Sequence, residues 1–354
     1  MLEYIAIAIA LFFAANIGAS GAAASMGVAY GSGAIKNAKF ALLLCGIGVI
    51  AGAVLGGGEV VKTISGGIIP ESIITVKLVI IILLAATSTL FIANLMGIPL
   101  STSEVTVGSI VGVGVAYQVL YIEKLLYIMA FWFIVPIIAF LLLLIGGKIL
   151  YHFQQKGYLK DRPLFTFLLI IAGFFEAFSA GMNNVANAVG PLVGANMMTI
   201  TEGVWIGGVF VAVGALFLGR RVLETNGKKI TRYEKTEGIL ISSTGALLVG
   251  ISSIFGLPVP LTQVTSSGII GLGVAKNGAK VFDKNIVKKI LRIWIVSPLF
   301  SLAISYMLVK VFIESDYYSM IVLVSVAIAI MGAFSLMQIV REEEQTFNDE
   351  GSGI

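Results

Sequence analysis

The sequence predicts an all-α polytopic membrane protein: two inverted repeats of about five transmembrane segments each, one extra C-terminal helix, and broken or re-entrant helices at a substrate site. Three observations carry this. First, 58% of the 354 residues are apolar and only 12% are charged, against roughly a quarter charged in soluble proteins. Second, two polar, glycine-rich motifs each occur twice. Third, lysine and arginine fall mostly on one side of the segments.

Apolar runs long enough to span fall at 2–30, 36–56, 73–96, 100–118, 122–150, 163–194, 199–219, 237–256, 260–275, 286–312 and 317–340, at about 20 residues per crossing. Met1 to Phe13 opens the first run. Glu3 stands where a signal peptide carries basic residues, so the run reads as a retained first helix. The first and sixth runs are long and read as broken by glycine motifs. The fourth and ninth are short, follow Pro99 and Pro258, and read as candidates for re-entrant segments. Residues 1–150 form the first repeat, 151–163 a cytoplasmic connection, 164–312 the second repeat, 313–341 the extra helix and 342–354 a polar cytoplasmic tail.

If every segment crosses, one side receives nineteen of the 23 basic residues, concentrated at 148–162, 220–235 and 276–292. The other side receives Lys62, Lys77, Lys124 and Lys310. The bias makes the first side cytoplasmic, the N-terminus external and the C-terminus internal, and it supports the segment count.

The first repeated motif is Gly-x-(Ser/Asn)-x-x-Ala-x-x-x-Gly-x-x-x-Gly. It runs from Gly18 through Ser20, Gly21, Ala23 and Gly27 to Gly31, and again from Gly181 through Asn183, Asn184, Ala186 and Gly190 to Gly194. Small residues every fourth position let two backbones approach closely. The second copy holds three amides, Asn183, Asn184 and Asn187, and each amide left unpaired in hydrocarbon costs several kcal/mol. The second motif runs from Gly97 to Thr106, with Ser101, Thr102, Ser103 and Glu104, and again from Gly256 to Thr265, with Thr262 and Gln263. Five segments per copy put the second copy in the opposite orientation, an arrangement typical of transporters.

Four polar clusters therefore belong to the core: Ser20 with Ser25; Ser101, Thr102, Ser103 and Glu104; Asn183, Asn184 and Asn187; Thr262, Gln263 and Thr265. Each follows a Gly or Pro, where a half-helix can begin with free N–H groups. Such N-termini, with hydroxyl and amide donors, can bind an anion without a lysine. A lone serine in such a helix is more often glue between helices; four clusters in two matched pairs argue for a site. Glu104 and Glu176 are the carboxylates at membrane depth. Burying their charge is costly and protonation removes it, which makes them proton-coupling candidates. Glu59 and Lys62 read as an interfacial ion pair.

Other classes lack their residues. One Cys and one His allow no disulfide framework, metal site or Cys/His dyad. An intramembrane enzyme would need a nucleophile with a base, and His152 sits in a loop. The chain has no phosphate-binding Gly-x-x-x-x-Gly-Lys-(Ser/Thr) motif, so no nucleotide drives it. A net charge of +4 without a basic, aromatic-laced domain points to topology, not nucleic acid. No cofactor is called for. A channel fits closed, amide-lined repeats less well than alternating access does. A homodimer is compatible with the sequence, which does not set the oligomeric state.

These repeats resemble the inorganic phosphate transporter (PiT) family, whose halves each carry a Gly-x-Asn-Asp-x-x-Asn and a Pro-x-Ser-Thr-Thr-like signature. Gly181, Asn183, Asn187, Gly190 and Pro191 match the first signature, and Pro99, Ser101 and Thr102 the second. Val222, Glu224 and Thr225 resemble a further family element. The chain departs from the pattern at the motif aspartates, replaced by Gly21 and Asn184. Ser20 and Ala24 replace the first-motif asparagines, and Ala180 a histidine. The stretch from Asn16 to Gly27 is similar to the sulfate permease branch. The resemblance implies sulfate as substrate, with thiosulfate or other tetrahedral oxyanions as relatives of it. Sodium-coupled phosphate symport, the habit of most of the family, is the alternative. The residue chemistry agrees with sulfate: phosphate near pH 7 keeps a proton for an aspartate to accept, sulfate keeps none, and both aspartates are gone. Moving a dianion into a negative cell costs about 2.3 kcal/mol per charge per 100 mV, roughly 4.6 kcal/mol in all. Two protons offset that, so protons are expected as the coupling ion ahead of sodium.

Overall fold

The structure, a computed structural model, describes residues 1–95, 100–157, 162–224, 234–283, 285–322 and 325. Pro99, Thr225, most of the basic stretch before Lys235, most of the expected extra helix and the tail 342–354 lie outside them. Among the described residues all regular structure is helical: α1 Leu2–Ile17, α2 Ala23–Ser25, α3 Gly27–Gly31, α4 Ala38–Gly56, α5 Gly58–Gly66, α6 Val76–Leu95, α7 Thr102–Tyr117, α8 Ile122–Gln155, α9 Pro163–Gly194, α10 Ile200–Leu218, α11 Arg220–Glu224, α12 Lys235–Ile254, α13 Leu261–Asn277 and α14 Asn285–Phe312. Among the described residues seven helices are long and apolar enough to cross a membrane. They make the chain a multi-pass membrane protein. α7 and α13, at 16 and 17 residues, are the short pair anticipated after the prolines. Residues Met1–Ser305 form one compact unit. From Tyr306 onward lies a second, in which Lys310 pairs with Glu314 at 2.6 Å.

Local chemistry sets the helix starts. Asn37 caps α4, accepting from Lys39 N at 2.9 Å. Thr199 and Glu202 form a capping box at α10, and Glu234 and Glu237 form one at α12. Each satisfies backbone donors that the first turn leaves without partners. α8 turns a broad apolar face outward, including Leu126, Phe133, Ile137, Leu141 and Ile145. In water that face would be a liability; in lipid it is the expected surface. The glycine-rich stretch beside Glu59 leads into a helix, α5, that the sequence pattern did not suggest. The Glu59–Lys62 pair on it is exposed, at 2.7 Å.

One expectation is corrected. The sixth run is not broken at Gly181: α9 runs unbroken for 32 residues from Pro163 to Gly194. The first run passes through a π turn over Gly18–Ala22 within a continuous span from Leu2 to Ser25, and is interrupted at Met26 before the short α3. The glycines of α9 serve close approach. A Cβ on Gly181 would run into the carbonyl of Val49 on α4, and a Cβ on Gly18 into the carbonyl of Val211 on α10. The pattern recurs. Gly52 of α4 lies against the Phe178 carbonyl of α9, and Gly214 of α10 against the Ala15 carbonyl of α1. Likewise Gly112 of α7 abuts the Leu302 carbonyl, and Gly271 of α13 the Phe140 carbonyl. Each of these contacts joins a helix of residues 1–150 to one of residues 164–312.

Candidate functional site

The middle of α9 meets the starts of α7 and α13. Asn183 and Asn187 are four apart and share a face, as the helical period requires. Ser101 caps α7: its hydroxyl accepts from Glu104 N at 3.3 Å. That leaves the first-turn N–H groups of Thr102 and Ser103 with no acceptor inside the helix.

The side chains interlock. Thr102 Oγ1 donates to Asn184 Oδ1 at 3.3 Å, and Ser103 Oγ is 3.2 Å from Asn183 Oδ1 and from the Val259 carbonyl. Asn187 Nδ2 donates to Thr102 Oγ1 at 3.3 Å and Ser103 Oγ at 3.2 Å. Asn183 Nδ2 donates to Ser253 Oγ at 3.0 Å and the Leu257 carbonyl at 2.9 Å. With both donors so engaged, Asn183 is a bracket that fixes α7 and the segment before α13. Asn184 differs. Its Nδ2 donates to nothing among the described residues and faces the π turn, where a Cβ on Gly21 would lie 3.4 Å from it. A larger residue at 21 would cover that donor. π turns inside helices often mark functional sites.

Glu104 sits next in α7. Gln263 Nε2 donates to its Oε1 and Ser297 Oγ to its Oε2 at 3.0 Å, so one carboxylate ties α7 to α13 and α14. The cluster is sealed: Asn183 and Asn187 are fully buried, and Thr102 is 5% exposed. On one side an open cavity of about 450 Å³ stops short of it, at Leu257. Glu59, Lys62, Glu123, Lys124 and Tyr127 line this cavity, and Leu257 lies where the Asn183 amide is bonded.

Of the residues expected at the site, Thr102, Ser103, Asn183, Asn184 and Asn187 bond one another, Ser101 caps their helix, Gly21 faces Asn184, and Gln263 holds Glu104. Ser20 does not join them: half-buried, its hydroxyl turns back to the Asn16 carbonyl at 2.9 Å. Thr262 Oγ1 is buried with no partner. Glu176 stands two turns from Asn183 on α9, about 10 Å away at 1.5 Å per residue. The sequence reading missed Ser253, Ser297 and Trp132, whose Nε1 donates to the Pro258 carbonyl at 2.9 Å. A signal was present: Trp132 and Pro136 recur as Trp294 and Pro298. Among the described residues no group of three His, Cys, Asp or Glu could hold a metal ion.

Comparison with known proteins identifies the relatives of this chain. A family model described as the phosphate transporter family matches residues 17–305. The chain is 60% identical to the sulfate permease CysP of Bacillus subtilis over the whole length of both proteins. It is 31% identical to a putative phosphate permease of Pyrococcus abyssi, across 79% of this chain and 90% of that protein. A solved structure described as the sodium-dependent phosphate transporter aligns with a TM-score of 0.78 at 24% identity, covering 88% of this chain and 98% of the other. That likeness concerns the fold.

Proposed function

Because the chain belongs to the phosphate transporter family, we propose that it imports inorganic sulfate across the plasma membrane as a secondary transporter coupled to protons. Its N-terminus is then external and its C-terminus cytoplasmic. The observation that carries the choice of anion is the unpaired Asn184 amide beside Gly21. No carboxylate lies among the groups that bond Asn183, Asn184 and Asn187. Donors suit an anion that carries no proton of its own. An aspartate there would accept from phosphate and repel sulfate, so specificity works partly by omission. The Thr102 and Ser103 N–H groups, at the positive end of α7, complete a donor set for a tetrahedral oxyanion. The 60% identity to a protein named sulfate permease supports the same reading.

Protons enter through charge. Glu104 follows Ser103 directly, and protonating it removes a like charge from beside the anion. Glu176 is a second buried carboxyl without a basic partner, unlike the buried Glu237, which pairs with Lys276, and two protons balance one sulfate. The reciprocal glycine contacts support two inverted repeats moving against each other around the site, the arrangement used for alternating access. Uptake of labelled sulfate and labelled phosphate into proteoliposomes, under imposed proton and sodium gradients, tests the proposal. Sulfate accumulation driven by external acid is expected. Phosphate accumulation driven by sodium would overturn it.

A further inference from the structure

Glu104 and Glu176 are both buried in the helix bundle, but their surroundings differ. Both Glu104 oxygens accept hydrogen bonds. Glu176, 2% exposed on α9, has one partnered oxygen: Thr265 Oγ1 of α13 lies 3.2 Å from Oε1, and Oε2 has no partner. Ser242 of α12 is close enough to act on this carboxylate, yet its fully buried hydroxyl is also without a partner. One turn along α12, Gly245 makes room for the group: a Cβ there would stand 3.0 Å from Glu176 Oε1. A buried carboxylate oxygen and a buried hydroxyl, side by side and both unsatisfied, are costly unless something bridges them.

Among the described residues no charged side chain acts on Glu176. The titratable neighbour is Cys45 of α4, whose Sγ donates to the Ala22 carbonyl at 3.1 Å. The facing parts of α12 and α13 present hydroxyls. A negative group with neutral oxygen donors around it and no cation from the protein is a receptor for a positive charge from outside.

We propose that Glu176, Ser242 and Thr265 form a second binding site, separate from the anion site, that takes one monovalent cation: a proton on the carboxyl, or a sodium ion held by the carboxylate and the two hydroxyls. The site rests on the reading of this chain as a transporter and gives its coupling ion an address. The amide cluster lies two turns along the same helix, and α13 carries Thr265 here and Gln263 against Glu104, so loading this site acts on the elements that grip the anion.

The test uses the purified full-length protein in detergent without sulfate, so that its result does not depend on which anion is carried. Thermal stability is measured against sodium chloride, with choline chloride holding ionic strength constant. Infrared difference spectra across a pH titration follow carboxyl protonation. If the occupant is sodium, it raises Tm saturably in wild type, and Ser242→Ala increases the half-saturating concentration at least tenfold. If the occupant is a proton, sodium has no specific effect, a carboxyl band titrates in wild type, Ser242→Ala shifts it and Glu176→Gln abolishes it. Should Glu176→Gln fail to fold, Ser242→Ala decides alone, because Ser242 lies close to Glu176 and has no other partner among the described residues. No saturable sodium effect together with no carboxyl band sensitive to Ser242→Ala overturns the site. Sulfate binding measured on the same preparation reports separately on the transport reading.

Discussion

Asn184→Asp tests the selectivity argument at the atom that carries it. The substitution keeps the size and the Oδ1 that accepts from Thr102 at 3.3 Å, and turns the free amide nitrogen facing Gly21 into a charged oxygen. Two unit charges about 4 Å apart at an effective dielectric of about 20 repel by about 4 kcal/mol, and a dianion doubles that to about 8. The protein has an escape: the new carboxyl can take up a proton as sulfate binds. Neutralising a carboxyl of ordinary pKa near 3.9 at pH 7 costs at most about 4.2 kcal/mol. The smaller cost governs, so sulfate affinity at pH 7 falls by about 1.4 to 4 kcal/mol, tenfold to nearly a thousandfold. Because binding then carries a proton uptake, affinity recovers by up to tenfold for each unit the pH falls. Calorimetry in detergent at pH 8, 7 and 6 measures this, with Asn184→Ala as the control that loses the donor without adding charge. Undiminished binding of Asn184→Asp at pH 8 would refute the reasoning. So would a loss equal to that of Asn184→Ala and independent of pH.

Four further outcomes are expected. Ser101→Ala combined with Thr102→Ala removes the α7 cap, worth about 1 kcal/mol, and a hydroxyl of the cluster; sulfate affinity drops more than tenfold while circular dichroism stays that of a folded helical protein. Asn183→Ala deletes a bracket to Ser103, Ser253 and Leu257 at about 0.5–1.5 kcal/mol per bond, so it lowers Tm as well as affinity, and an unchanged Tm would show the bracket to be idle. Glu104→Gln fixes the carboxyl in a neutral form and abolishes the response of sulfate uptake to an inward proton gradient in proteoliposomes; continued acid-driven accumulation would assign the proton elsewhere. A cysteine at the exposed Arg220 reacts with impermeant maleimide only from the cytoplasmic side, and labelling from outside in sealed cells would reverse the topology.

The spans were legible because burial in lipid leaves long apolar runs. α9 and α10 begin and end within about a residue of where the runs place them. The buried polar cluster was legible for the opposite reason: amides such as Asn183 and Asn187 are conspicuous in an apolar chain. Gly181 misled, because a glycine reads alike whether it ends a helix or admits a neighbouring backbone; only the Val49 carbonyl beside it tells the two apart. Ser253 and Ser297 were invisible singly, since serine in an apolar helix usually bonds its own preceding turn, as Ser253 also does to Val249 at 2.7 Å. Their partners across the bundle, Asn183 and Glu104, lie 70 and 193 residues away, and no local pattern encodes such distances. The unpaired oxygens at Glu176 and Ser242 follow from three helices converging, which sequence spacing does not register.

The crossed glycine seams bear on how the chain is made. Gly18 closes on Val211 and Gly112 on Leu302, so each early helix fits a surface synthesised roughly 190 residues later. At about 5–20 residues per second that is a wait of about 10 to 40 s. During it the first half of the chain holds bare backbone grooves and amide partners for helices that do not yet exist. Residues 1–150 expressed alone have no partner with which to close these seams. The glycine seams around Gly18 and Gly112 are therefore among the last contacts this chain can complete, closing only once α10 and α14 have been made.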